Sequence, residues 1–441
     1  MIRKGIDFIK QIKNDSLKRS MFLSALCKPI GMLISFLYTP VLLAYLGEES
    51  YGIWSTILAV INWINYFDVG IGQGMRNKLS RYIAIDDKKS ANQTVSTGYA
   101  ALSSISCVIF VIGTVLIGIA DVGGVFNTSL NIRPVLIISF SSICINFILS
   151  LSKSQLYATQ QAEKVGYMTV LTHALNLVGV VVLSLFSQGS LIGVAFVIGL
   201  SGIAVNVLFT ADVWKSYTYL IPHISQYRKS ELKGICNIGI KFFFIQIAGL
   251  ILYSTDNMII TQLFGPSYVT PYHTSYTAFG IVNGLFSAMI APLWSKYTVA
   301  VEQGDYQWIK KMILSLDKIL PLIALVLLIG TVLFEPFSRI WLHKTLVYES
   351  GLIACMAGYY FLTVWGSIYA TAMNGMNKVD LQLVLAIVSA ALNIPLSIYL
   401  GKNCGLGTTG VCLATVICML ITNIPVTTYM HVYLNNLIKS H

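Results

Sequence analysis

Charge is what this sequence has least of. Only 11% of its 441 residues are Asp, Glu, Lys or Arg, against about 25% in ordinary soluble proteins, and 56% are hydrophobic. So little charge excludes a water-covered globule, and the chain reads as an all-α polytopic membrane protein. Nucleotide chemistry is missing too. There is no Gly-x-x-x-x-Gly-Lys-Ser/Thr run, and Gly70, Gly72 and Gly74 have the wrong spacing and context for a dinucleotide turn. Work driven by ATP on this chain is therefore excluded. Neither a His-Glu-x-x-His nor a Gly-x-Ser-x-Gly sequence occurs, which leaves no hydrolase signature.

Paired cysteines are also absent. Cys27, Cys107, Cys144, Cys236, Cys355, Cys404, Cys412 and Cys418 fall almost entirely in apolar runs without a Cys-x-x-Cys. They read as small packing residues, not as a disulfide frame or zinc site. The basic N-terminus (Arg3, Lys4, Lys10, Lys13, Lys18, Arg19) precedes an apolar run too long for a signal peptide, so that run is expected to remain as the first helix.

What the chain has in abundance is membrane-length helix. Twelve segments meet the requirement of about 20 apolar residues, at about 20–46, 51–76, 94–120, 134–157, 164–187, 190–213, 237–264, 268–297, 312–337, 350–374, 377–400 and 405–433. The net charge of +11 looks like a nucleic-acid signal until its carriers are placed. With the N-terminus inside, every Lys and Arg except Lys28, Arg133, Arg339, Lys344 and Lys402 falls on the cytoplasmic side, so both termini are expected in the cytoplasm. Outer connections such as Gly47-Glu48-Glu49-Ser50, Ser187-Gln188-Gly189-Ser190 and Gly265-Pro266-Ser267 are too short to hold a catalytic domain. The longest inner connection, Lys215 to Asn237, mixes Tyr219, Leu220, Ile224 and Tyr227 with Arg228, Lys229 and Lys233. It reads as an amphipathic surface helix joining two halves.

Those halves look like repeats. Ser50-Tyr51 recurs as Ser267-Tyr268, Ala174-Leu175-Asn176 as Ala391-Leu392-Asn393, and Gly193-Val194 as Gly410-Val411, at one common offset. The expected organisation is a six-helix bundle over residues 1–220 and a second over 221–441, a duplication typical of transporters.

The most conspicuous interruption of the apolar pattern is Tyr66-Phe67-Asp68-Val69-Gly70-Ile71-Gly72-Gln73-Gly74-Met75-Arg76-Asn77. An ionised group at bilayer depth costs about 2.5–3.5 kcal/mol on insertion scales, so Asp68 needs a partner or a task. At about 1.5 Å per residue, Lys28 and Asp68 both fall in the inner half of the membrane. One reading pairs them structurally. The other places Lys28, with Arg76, Lys241 and Lys296, at the mouth of a cavity for an anionic substrate, although Arg76, Lys241 and Lys296 are also placed as snorkelling residues would be. The repeat does not reproduce this charge, since the offset carries Lys28 to Ile245 and Asp68 to Leu285.

Asp256 falls near the outer boundary of the seventh segment, as a proton or sodium site or as an interfacial carboxylate bonded to Asn257 or Ser254. Trp54, Trp63, Tyr66, Tyr272, Tyr276, Trp294, Tyr359, Tyr360 and Trp365 fit an interfacial belt; Trp63, Tyr66, Tyr276 and Trp365 are also candidates for stacking on sugar rings. Pro29, Pro40, Pro321 and Pro395 are expected to kink helices from inside.

The run Thr39-Pro40-Val41-Leu42-Leu43-Ala44-Tyr45-Leu46-Gly47-Glu48-Glu49-Ser50-Tyr51-Gly52-Ile53-Trp54, with Phe67 to Asn77, closely resembles the opening of bacterial Wzx-type polysaccharide repeat-unit flippases. These belong to the multidrug/oligosaccharidyl-lipid/polysaccharide exporter superfamily. Ser254-Thr255-Asp256-Asn257-Met258-Ile259-Ile260 is similar to the start of that family's second half. The resemblance implies two six-helix bundles in a V and export of undecaprenyl diphosphate carrying an O-antigen or capsule unit across the bacterial inner membrane. It also implies no cofactor beyond a coupling H+ or Na+, and a polysaccharide polymerase and chain-length regulator as partners. A drug/cation antiporter of the same superfamily and a lipid II flippase are rival relatives, and a membrane polymerase is the rival from another class.

Overall fold

The computed structural model describes residues 16–68, 70–236, 255–290, 293–376, 378 and 380–440. Among these residues no strand occurs, as expected of an apolar chain whose backbone groups find no water in the bilayer and bond within helices. In chain order the helices are α1 (Ser16–Leu46), α2 (Glu48–Ile61), α3 (Ile71–Ala84), α4 (Lys88–Ile119), α5 (Arg133–Leu149), α6 (Leu151–Ala158), α7 (Ala162–Phe186), α8 (Leu191–Ser216) and α9 (Lys229–Cys236). They continue as α10 (Asp256–Phe264), α11 (Val269–Ile290), α12 (Leu293–Glu302), α13 (Tyr306–Asp317), α14 (Leu320–Leu342), α15 (Leu352–Gly375), α16 (Asp380–Ile398) and α17 (Gly407–Ser440).

Nine stretches among the described residues are long and apolar enough to cross a bilayer. Their outer faces are greasy: Val111, Ile112, Val115 and Leu116 of α4 and Leu325, Leu328, Val332 and Leu333 of α14 are all exposed. Such a surface is stable only against lipid. Most of the seventh expected segment, residues 237–254, lies outside the described residues.

Three elements differ from the sequence reading. The second segment is not one continuous helix. α2 ends at Ile61, a 3-10 stretch follows over Asn62–Asp68, and Gly70 stands at φ 76° before α3 begins. Positive φ is open to glycine at little cost and breaks the helical run there, so a depth for Asp68 measured along one straight helix does not hold. Pro321 does not kink a helix either: it occupies the first turn of α14, where no N–H is needed. Pro29, Pro40 and Pro395 do lie inside their helices.

The connection after α8 is the third difference. Two 3-10 turns, Thr218–Leu220 and Ile224–Gln226, precede the eight-residue α9. Asn92 on α4 donates from Nδ2 to the carbonyls of Tyr219 (2.8 Å) and Ile221 (2.7 Å). The Ser96 hydroxyl accepts from the His223 amide at 2.9 Å and that of Thr97 from the Arg228 amide at 3.0 Å. These side chains satisfy backbone groups that a surface helix would have satisfied itself.

Two compact units result. One comprises Met1–Leu46, Ile61–Gly124 and Ser129–Phe243; the other Gly47–Val60, Val125–Thr128 and Phe244–His441. α2 thus belongs with the second half of the chain. There the Tyr51 hydroxyl and His273 Nδ1 are 3.0 Å apart, Thr270 donates to the Glu48 carbonyl at 2.6 Å, and Lys344 pairs with Glu48 at 2.7 Å.

Candidate functional site

In the second unit, four helices converge on a carboxylate. Asp256 opens α10 and is only 4% exposed. Its Oδ2 accepts from the Tyr272 hydroxyl on α11 at 2.5 Å and from Thr415 Oγ1 on α17 at 3.1 Å. Asn393 on α16 donates from Nδ2 to Thr415 Oγ1 at 2.9 Å and accepts from Thr255 Oγ1 at 3.4 Å. Asn393 and Thr415 are fully buried. Every donor to Asp256 is neutral, and no cation pairs with it among the described residues. A carboxylate desolvated this way costs several kcal/mol when ionised and unpaired, so the arrangement is suited to taking up a proton or a small cation through clustered oxygens.

Asp256 therefore bonds to Tyr272 and Thr415 and not to its neighbour Asn257. Asn257 turns instead toward the Ser55 carbonyl, and Ser254 lies outside the described residues.

In the first unit, α5, α6, α7 and α8 form a half-open cavity of about 210 Å³, lined by Asn146, Lys153, Thr169, Thr172, His173 and Asn206 among others. Small residues make it. A Cβ on Gly199 would meet Ser142 Oγ at 2.2 Å and one on Gly202 would meet the Asn146 amide at 2.9 Å, so α8 approaches α5 closely only through glycine. That approach lets Asn206 Nδ2 donate to Asn146 Oδ1 at 2.8 Å. Gly31 of α1 closes one side, against Thr169 and His173.

The residues singled out from the sequence scatter over these two units. Arg76 on α3 is half-buried with its guanidinium 4.4 Å from the centre of the Tyr157 ring, a cation–π contact within the first unit. Lys296 on α12 is exposed. The side chains of Lys28, Asp68 and Tyr66, and all of Lys241, lie outside the described residues. Trp63 is half-buried.

The aromatic belt is corrected in part. Trp54 (1% exposed), Tyr272, Tyr359 and Tyr360 are buried in the second unit, where helix packing and not an interface places them. Tyr276 is half-buried against both Tyr359 and Tyr360, with ring centres 5.8 and 5.4 Å away, and Trp365 is half-buried on α15. Trp294 is exposed and keeps an outward position.

Lys153 and His173 went unremarked in the sequence. Lys153 stands near the inner end of its segment, where it counts as one more topological lysine, and His173 is alone among apolar neighbours. Only the packing of α6 against α7 brings the two to one cavity. Asn393 carried a signal, the Ala-Leu-Asn repeat, without an indication that it adjoins Asp256.

The polysaccharide biosynthesis protein family model matches residues 17–298. A "Putative O-antigen transporter" of Salmonella typhimurium is 24% identical over 393 residues, covering 86% of this chain and 88% of its own length. A protein of the same description from Salmonella typhi is 21% identical, covering 83% and 84%. Among solved structures, an inward-facing multidrug resistance MATE family transporter of the MOP superfamily superposes with a TM-score of 0.77 at 16% identity, over 94% of this chain and 98% of that one. A MOP superfamily transporter from Pyrococcus furiosus, described as having a binding pocket of reverse polarity, gives a TM-score of 0.68 at 16% identity over 97% of each chain. The all-helical fold is thus that of the MOP transporters, and the chain belongs to the polysaccharide biosynthesis protein family.

Proposed function

We propose that this protein is a flippase that carries a lipid-linked oligosaccharide, undecaprenyl diphosphate bearing an O-antigen or capsule repeat unit, from the inner to the outer leaflet of the bacterial inner membrane. The observation that carries this reading is similarity over more than four-fifths of the chain to proteins described as O-antigen transporters, on a fold shared with MOP transporters. Both termini lie in the cytoplasm on this reading.

The physics demands what such a protein would supply. A diphosphate with sugars attached cannot enter hydrocarbon unaided, since even one ionised group at bilayer depth costs about 2.5–3.5 kcal/mol. Basic side chains offset that loss, and Lys28, Arg76, Lys241 and Lys296 are assigned to the headgroup. Tyr276, Trp365, Trp63 and Tyr66 are assigned to stacking on the sugars.

Alternating access needs a group whose charge state differs between conformations. Asp256 is assigned that task, with H+ or Na+ as the coupling ion: binding neutralises a buried carboxylate, and release restores a costly charge. Asp68 is assigned to gating, beside the Gly70 break between α2 and α3. A polymerase and a chain-length regulator would take up the exported units.

The test is surface polysaccharide in a strain lacking this gene, measured with the intracellular pool of lipid-linked oligosaccharide. Loss of surface polymer with accumulation of finished, untranslocated units is expected. Normal polymer with altered drug tolerance would replace this reading with a drug antiporter, and exported single units without polymer would replace it with a polymerase.

A further inference from the structure

We infer that the cavity between α5, α6, α7 and α8 binds a phosphorylated sugar, with Lys153 as its anion-binding group. The inference deepens the transport reading and rests on it only for where the sugar phosphate comes from.

Four observations point there. First, the cavity is cationic: Lys153 lines it and, among the described residues, no Asp or Glu does. Lys153 has no hydrogen-bond or ion-pair partner for its ammonium among the described residues. A half-buried lysine between packed helices is ordinarily paired, because an unpaired cation out of water is expensive. The neighbouring Lys164 follows the rule, pairing with Asp212.

Second, donors remain unspent around it. Asn146 Nδ2 gives one N–H to the Ser142 carbonyl at 3.0 Å, and Asn206 Nδ2 gives one to Asn146 Oδ1. Each amide carries a second N–H, and the His173 ring adds another donor. With the three of Lys153 they form the set an oxyanion takes up.

Third, an acceptor is left over beside those donors. Asn206 is 9% exposed and its Oδ1 is buried with no partner among the described residues. The hydroxyls of Thr169 and Thr172 donate to the Val165 and Met168 carbonyls at 3.2 and 2.8 Å, so they too present lone pairs inward. An oxyanion alone leaves these acceptors unmatched. A ligand with an anionic phosphate and adjoining hydroxyls satisfies both sets, which is the chemistry of a glycosyl phosphate.

Fourth, the size fits. A volume of about 210 Å³ corresponds to roughly seven waters at about 30 Å³ each, room for a phosphate and the near edge of one sugar ring.

Two sources share this chemistry: a soluble sugar phosphate and the phosphate–sugar junction of a lipid-linked unit. The experiment uses the purified full chain in detergent and two probes, glucose 1-phosphate in solution and a short-chain prenyl diphospho-N-acetylglucosamine in the micelle. Inorganic phosphate and glucose serve as controls, and thermal midpoints and titration calorimetry as readouts. Binding of glucose 1-phosphate, tighter than either control and weakened about ten- to hundredfold by Lys153→Gln but not by Lys153→Arg, is expected, since a charge-assisted hydrogen bond is being removed.

If both probes bind with that dependence, the lipid-linked junction is the source. If only glucose 1-phosphate does, the cavity serves soluble sugar phosphates. No binding by either probe, or equal binding by Lys153→Gln, overturns the inference. Because the ammonium is unpaired, Lys153→Gln is expected to melt like the parent without probe; if it does not, Asn206→Leu provides the same comparison through the acceptor side. A deletion strain with normal surface polysaccharide would defeat the transport reading and leave this binding result untouched.

Discussion

Gly52 and Pro266 approach each other so closely that a Cβ built on Gly52 would stand 1.8 Å from the Pro266 carbonyl oxygen. Gly52 of α2 and Pro266, in the turn before α11, are pressed together within the second unit, and the obstacle to a side chain on Gly52 is backbone. Tyr51, Thr270 and Lys344 hold the same junction through the bonds described above. The motif that carries the family resemblance, Ser50-Tyr51-Gly52-Ile53-Trp54, is on this account a packing device: Ile53 is fully buried and Trp54 nearly so.

Gly52→Ala is therefore expected to destabilise the folded protein severely. Overpacking ordinarily costs about 1–3 kcal/mol, and a backbone obstacle places this case at or above the top of that range. Gly118→Ala is the control: it is a helical glycine on α4 whose added Cβ meets nothing within 4 Å, and it should be neutral or stabilise by up to about 1 kcal/mol. Thermal unfolding of the two variants in detergent decides. Equal melting would show that the α2 junction yields.

At the Asp256 network, Asp256→Asn should keep the hydrogen bonds from Tyr272 and Thr415 while abolishing the charge change. Surface polysaccharide in a complemented deletion strain should fall at least tenfold with the protein level unchanged. Thr415→Val, which removes one donor and leaves the carboxylate, should reduce export less. Full complementation by Asp256→Asn would show that this carboxylate does not couple transport.

The connection after α8 is pinned by Glu231, which accepts from Lys78 Nζ at 2.9 Å and Thr94 Oγ1 at 3.1 Å. Both charged side chains are largely buried, 27% and 16% exposed. Lys78→Ala should loosen α9 by about 1.5 kcal/mol, the low end of the range for a hydrogen bond to a charged group, and speed proteolysis between Tyr217 and Arg228 roughly tenfold. Cleavage at the parental rate in Lys78→Ala would assign the docking to Asn92, Ser96 and Thr97 alone.

Asp87 caps α4 outside the membrane. Its carboxylate accepts from the Ser90 amide at 3.0 Å, and hydrogen bonds from Ser90 hold its carboxyl below the ordinary value of 3.8. A pKa lowered by folding contributes stability above the unfolded value and loses it as pH falls through the folded one. Exchange of the Ser90 and Ala91 amides should thus gain protection up to about pH 4 and stay level above it, and Asp87→Asn should flatten that profile. An unchanged profile in Asp87→Asn would show that another group governs the α4 terminus.

Much of the architecture was legible in the residues alone, because lipid permits few solutions. Apolar runs of membrane length must become helices when no water can satisfy their backbone, and the segments matching α1, α4, α7, α8, α15, α16 and α17 stand within a few residues of where hydropathy placed them, save that α4 begins six residues early and α17 ends seven late. Interruptions were harder to read. That Tyr66 to Asn77 departs from the apolar pattern was plain, yet that it breaks a helix at Gly70 depends on a backbone angle no composition reports.

Asp256 was visible as a costly charge, and its location on the seventh segment followed from counting. Its partners did not, because Tyr272 and Thr415 lie 16 and 159 residues away, and Asn393, which donates to Thr415, joins them only through the packing of four helices. The same limit hid Lys153 and His173. By itself the sequence determined membrane residence, helical class and family, since each rests on local composition or on contiguous motifs. Tertiary structure alone decided which half α2 joins, which carboxylate is left among neutral donors and which lysine faces a cavity, because burial and pairing are properties of neighbours distant in the chain.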